Sequence, residues 1–174
     1  PPRSTLFPYT TLFRSLIHCC LSMSIYQTLV HALTSRPFKI EGNSMLPTLK
    51  DGQYVLLTRT SSPRRPLKRG DIVVHRHPMG LDGIYVKRII GLPGEHVWIE
   101  GGQVYLDDVP LEEDYPIPNP DQEDPPQKEW WNAAGEYVGM GDNRPNSHDD
   151  SRAFGSVPAA QILGRVWKIG RAHV

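Results

Sequence analysis

Short runs of alternating or continuous apolar positions recur from residue 54 onward, and glycine, proline, aspartate or asparagine stops each one. Tyr54 to Thr58 and Asp71 to His75 are β-rich runs of strand length, and Gly83 to Ile90 predicts a longer strand that Leu92-Pro93-Gly94 ends. Val97 to Ile99 and Val104 to Leu106 flank Gly101-Gly102, which reads as a hairpin, and Asp107-Asp108 begins the next turn. From Glu112 to Gln127 the chain is acidic and proline-rich, which predicts a surface loop. Gly135 to Met140 resumes the sheet, Gln161 to Trp167 closes it, and no internal repeat is visible. The pattern is that of a mainly β fold.

Upstream the pattern changes. Leu16 to Leu33 is moderately apolar but interrupted by His18, Ser22, Ser24, Gln27 and His31, so by hydropathy it is an interfacial or core-packing helix rather than a good spanning one. Both ends of the chain, 1–15 and 169–174, read like translated sequencing adapters and are set aside from fold reasoning. That leaves a helix over 16–35 and one domain over 36–168.

Composition supports this reading and removes some functions. The 17 prolines and 15 glycines favour a turn-rich β protein of one core over a helical bundle. Nineteen basic residues balance nineteen acidic ones, so no broad attraction to nucleic acid follows, and the basic run Arg64 to Arg69 is a local, solvated feature. Cys19 and Cys20 are adjacent and cannot staple distant segments.

The candidate chemistry lies in two segments. Ser44 stands in Glu41-Gly42-Asn43-Ser44-Met45-Leu46-Pro47, where Gly42 and Pro47 favour an exposed turn. Lys87 stands among Ile84, Val86, Ile89 and Ile90, which can bury its stem. A serine hydroxyl needs a base, and a lysine serves as one only when desolvation holds it neutral. The competing readings are an ordinary turn serine and an ordinary strand lysine. His75, His77 and His96 lack metal-ligand spacing and read as surface histidines, and Gly91-Leu92-Pro93-Gly94 lacks the pattern of a phosphate cradle. Trp130-Trp131 reads as a loop anchor or a membrane-contacting pair.

These two segments, with Met140-Gly141-Asp142-Asn143-Arg144-Pro145-Asn146-Ser147 and Asp150-Ser151-Arg152, resemble the type I signal peptidase family from about Arg36 to about Lys168. The resemblance implies a β-rich catalytic domain of coiled antiparallel sheets, preceded by a membrane-anchor helix. Arg36 and Lys39 would then lie at the membrane interface, with Phe38 near the lipid. It implies a serine endopeptidase that removes leader peptides from exported preproteins, with Ser44 as nucleophile, Lys87 as base and Ser147 orienting the lysine. Asp142, Asp150 and Arg152 would support the site through ion pairs and hydrogen bonds, with Arg88, and Phe38, Ile40, Leu49 and Val86 would line pockets for small residues before the cut. No cofactor or metal is called for, and the implied partners are signal peptides and membrane lipid, not nucleic acid. The implied location is the outer face of a bacterial plasma membrane, or else the mitochondrial inner membrane.

Two departures from the family pattern bear on these roles. Gly42 stands where some members carry a hydroxyl that completes the oxyanion site, which leaves a backbone N–H, a water or a side chain such as Asn43 to substitute. Two residues, His148 and Asp149, separate Ser147 from Asp150-Ser151-Arg152 where one is usual, so either Asp149 or Asp150 takes the supporting role, and Ser147 could be shifted from the lysine. A catalytically impaired, peptide-binding relative is therefore the rival reading.

Overall fold

The strand that carries Lys87, β4 (Ile84–Gly91), is buried on both faces in its second half, and such a strand must have cover on each side. The computed structural model describes residues 35–58, 66–116 and 127–169. The neighbours of β4 are β1 (Arg36–Lys39), β2 (Tyr54–Thr58), β3 (Ile72–Arg76), β9 (Glu136–Met140), β10 (Val157–Pro158) and β11 (Ile162–Ile169). They form one antiparallel sheet in the order β1-β2-β11-β3-β4-β9-β10. A smaller antiparallel sheet, in the order β7-β6-β5-β8, is built from β5 (His96–Glu100), β6 (Gln103–Leu106), β7 (Val109–Pro110) and β8 (Lys128–Trp131).

Alternation along β3 and β4 divides the core. Ile72, Val74 and Val86 pack with Ile40, Met45, Leu49 and Val55 on one face, while Val73 and Ile89 join Val157 and Ile162 on the other. Lys87 is in register with Val73 and emerges on that second face. The β4–β9 register slips between Ile89 and Gly91, as at a bulge, and Ile90 belongs to a third cluster with Val138 and Met140 of the large sheet and Val97, Ile99 and Val104 of the small one. Gly91 is needed there, because a Cβ would collide with the Val97 side chain.

The predicted strands and the hairpin at Gly101-Gly102 are present, and Asp107 and Asp108 hold the left-handed conformations (φ 45° and 66°) of a tight turn. Some elements differ from the sequence reading. β1 contains a proline and has no alternation; it forms as an edge strand on β2, where Pro37 is tolerated, so Arg36 and Lys39 are exposed strand residues. Trp130-Trp131 lies in a strand rather than a loop: Trp130 packs on the third cluster and Trp131, 73% exposed, stacks on His96 at 3.8 Å. The expected helix falls outside the described residues except for Ser35, as do the two adapter-like ends except for Ile169, the last residue of β11. Among the described residues the α-helix is the single turn α1 (Ser151–Phe154), and no helix is long and apolar enough to cross a membrane.

His75 is a further correction, being 1% exposed rather than a surface histidine. Its ring stacks on Tyr85 and meets Phe154 edge-on, Nδ1–H donates to the Arg76 carbonyl at 2.8 Å, and Nε2 has no partner. Burial lowers its pKa to about 4. An unfolded histidine takes its proton near pH 6.5, so the folded state is at full advantage above that value and loses it as the pH falls toward about 4. We expect wild type to lose about 2 kcal/mol more than His75→Phe between pH 7 and pH 4.5, measured by urea unfolding. Equal losses in the two proteins would place the acid sensitivity elsewhere.

Candidate active site

Residues 41–49 form a loop pinned at both ends. Ile40 N–H donates to Gln53 O at 2.8 Å, Gly52 N–H donates to Ile40 O at 2.9 Å, and Gly42 N–H donates to the Asp51 carboxylate at 2.8 Å. Met45 and Leu49 plunge into the first core cluster, which turns Ser44 outward into partial exposure. The segment after β9 grips the same loop: Asn143 N–H donates to Ser44 O at 2.9 Å and Asn143 Nδ2 to Asn43 O at 3.0 Å.

Lys87 is 3% exposed, with Nζ 3.1 Å from Ser44 Oγ and 3.2 Å from Ser147 Oγ. Burial pushes its pKa below the ordinary lysine value, against the pull of the Asp150 and Asp149 carboxylates. Ser147 in turn donates to Asp150 Oδ2 at 2.7 Å. Burial alone would raise the Asp150 pKa, but the guanidinium of Arg152, the Ser147 hydroxyl and Gly141 N–H hold it below the usual carboxylate range. Arg152 reaches both Asp150 oxygens, at 3.0 and 2.9 Å, and also donates to Ser147 O at 2.6 Å. Asp150 therefore orients Ser147 while capping α1 through Arg152 N–H. Gly141 makes the convergence possible, since a Cβ there would overlap Ser147 Oγ and the Ser44 carbonyl.

A second ion pair braces the floor. Arg88 grips Asp142 with two bonds of 2.8 and 2.6 Å, and Thr48 donates its hydroxyl to the same carboxylate. The Arg88 guanidinium lies 4.1 Å over the Tyr115 ring. Tyr115 O–H donates to Glu113, which Arg144 also binds, so the segment 113–115 is tied to the site. Desolvation and the adjacent Glu113 carboxylate push the Tyr115 hydroxyl upward in pKa, keeping it a donor.

Of the residues expected from sequence, the structure brings together Ser44, Lys87 and Ser147, and the additional residue does not displace Ser147. Asp150 is buried at the centre of this group, whereas Asp149 is exposed. The supporting charges form two pairs, Arg88 with Asp142 and Arg152 with Asp150. Phe38, Ile40 and Val86 line a cleft of about 630 Å³ beside Ser44. Leu49 does not line it and is wholly buried in the core. Met45 and Tyr85 line the cleft as well, although sequence reasoning did not single them out. Tyr85 was detectable by its spacing, two residues before Lys87 on one strand face. Thr48, Glu113 and Tyr115 had no local signal, because the partners that tie them to the site, Asp142, Arg144 and Arg88, are distant in sequence. Among the described residues, no three His, Cys, Asp or Glu side chains gather as a metal site.

The chain is similar to known proteins over most of its length. The family model described as signal peptidase, peptidase S26, matches residues 12–169. A signal peptidase I of Leptolyngbya laminosa is 38% identical over 144 residues, 76% of this chain and 68% of that protein. Signal peptidase I U of Bacillus subtilis is 36% identical, covering 74% of this chain and 72% of its own length. The crystal structure of a signal peptidase I from Enterococcus faecalis superposes with a TM-score of 0.52 at 31% identity, over 59% of this chain and 98% of that one.

The buried pair on the floor allows a stability test. Asp142→Asn leaves Arg88 short of its counter-charge in a site where Asp142 is fully enclosed. We expect a loss of about 3 kcal/mol, read as a lower urea midpoint at unchanged m-value. A loss within about 0.5 kcal/mol would show that the pair contributes nothing beyond a surface contact.

Proposed function

Since the chain belongs to the signal peptidase family, peptidase S26, we propose that Ser44 is the nucleophile and Lys87 the general base with which it cuts its substrates. Its activity is that of a signal peptidase I, a serine endopeptidase that processes the signal peptides of preproteins. The observation that carries the assignment is the 3.1 Å approach of Ser44 Oγ to a lysine amine that burial disposes to lose its proton.

Neutral Lys87 takes the Ser44 proton as Oγ attacks the scissile carbonyl, and returns it to the leaving amine when the peptide bond breaks. Water, activated by the same amine, then hydrolyses the acyl-enzyme. Ser147, aimed by Asp150, holds Nζ on the line to Ser44. The Ser44 N–H is the first oxyanion donor, and Gly42 offers no side-chain hydroxyl as a second.

Substrate binds as an extended strand. β9 pairs with β4 only from Arg88 onward, so among the described strands Ile84–Lys87 keeps one unpaired edge beside the cleft. Phe38, Ile40 and Val86 form shallow apolar pockets that admit small side chains before the cut and exclude large ones. Residues 16–35 anchor the domain to a bacterial plasma membrane, with the active site on the extracytoplasmic side, where preproteins emerge.

Cleavage of a model preprotein with the cut site mapped tests these roles. Ser44→Ala and Lys87→Ala should each lower kcat by about 10⁴ or more, and Ser147→Ala by roughly 10–100-fold. In wild type the acid limb of kcat/KM, where Lys87 gains its proton, should lie below the ordinary lysine value near 10.4. Unchanged processing by Lys87→Ala would remove the lysine as base.

A further inference from the structure

Besides Lys87 and Tyr85, four charged or titratable side chains line the cleft: Lys39 and Glu41 leading into the Ser44 loop, and His148 and Asp149 after Ser147. All four are exposed. Among the described residues, neither Glu41 nor Asp149 has an ion-pair partner. Asp150, next in sequence, is fully buried and spent on Ser147, Gly141 and Arg152.

The two free carboxylates are not equivalent. Glu41 stands two residues from Lys39 on the same stretch of chain, whereas Asp149 has no lysine or arginine of the cleft lining near it in sequence; its carboxylate also favours the protonated form of Lys87, against the larger effect of burial. Asp149 lines the cleft two residues after Ser147, whose hydroxyl contacts Lys87 Nζ, and its own carboxylate is exposed and outside any described ion pair.

We propose that Asp149 is a specificity-determining residue, favouring a basic and disfavouring an acidic side chain at substrate positions that flank the cut and do not enter the small apolar pockets. The inference rests on the reading of Ser44 and Lys87 as the reacting pair. In an extended peptide, alternate side chains point away from the pockets, and those nearest the scissile bond face the rim. With Lys87 neutral and Glu41 offset by Lys39 two residues away, Asp149 is the uncompensated charge of the cleft lining. Exposed charges act weakly one at a time, but exchanging Glu for Lys reverses the sign of the substrate charge, and the two effects add.

The experiment uses model preproteins carrying Lys, Gln or Glu in turn at the second position before the cut and at the first and second after it. kcat/KM is measured for wild type, Asp149→Asn and Glu41→Gln. At one or more positions wild type should prefer Lys over Glu by roughly 3–20-fold. That ratio should fall to about one in Asp149→Asn, persist in Glu41→Gln and shrink toward one near 1 M salt, whatever the absolute rates. A ratio that survives in Asp149→Asn, or is absent in wild type, overturns the proposal. The Gln substrates separate the two levels of argument. If wild type and Asp149→Asn cut them and Ser44→Ala does not, the reacting pair stands and the Lys/Glu ratios decide the role of Asp149; if Ser44→Ala cuts them as well, both readings fall.

Discussion

An amine enclosed by protein, with two hydroxyls within hydrogen-bond reach and a carboxylate one hydroxyl further away, is the constraint around which the rest of the structure is arranged. Lys87 must be dry enough to give up its proton, yet burying it costs free energy that packing elsewhere has to offset. Asp150 works the other way, favouring the protonated amine. The conflict is moderated by position: the Asp150 carboxylate is engaged by Arg152, Ser147 and Gly141 N–H, so its charge is largely committed before it is felt at Nζ. Ser147 stands between the two groups and converts an ion pair into an aiming device.

The scaffold supplies this arrangement from three separated stretches. The loop before β2 brings the nucleophile, the middle of β4 the base, and the turn after β9 the orienting hydroxyl. Gly141 is the point where the first and the third meet, and only hydrogen in place of a side chain leaves room there. Asn143 then ties the first stretch to the third through two hydrogen bonds. The spacing between Ser44 and Lys87 is therefore fixed by backbone contacts more than by the two side chains themselves.

Much of both sheets was legible because their strands alternate or run apolar and end at turn residues, as at Gly101-Gly102 and Leu92-Pro93-Gly94. β1 was not, since an edge strand with a proline and two cations forms through its partner rather than through its own pattern. The tryptophan pair misled because only one ring turns inward. Ser44 and Lys87 were recognisable from local sequence joined to a family likeness. The likeness alone could not choose between Asp149 and Asp150; burial and the Arg152 contact distinguish them. His75 looked like one more surface histidine, and only the register with Tyr85 reveals that it is enclosed.

The Tyr115 ring under Arg88 and the pairing of β8 with β5 hold the chain firmly on either side of residues 117–126. Because both entry and exit are anchored, lengthening or shortening the intervening connection alters closure entropy only logarithmically and transmits little displacement to the dyad. A pull on either flank is therefore met first by the Arg88–Tyr115 contact or by the small sheet, ahead of the dyad.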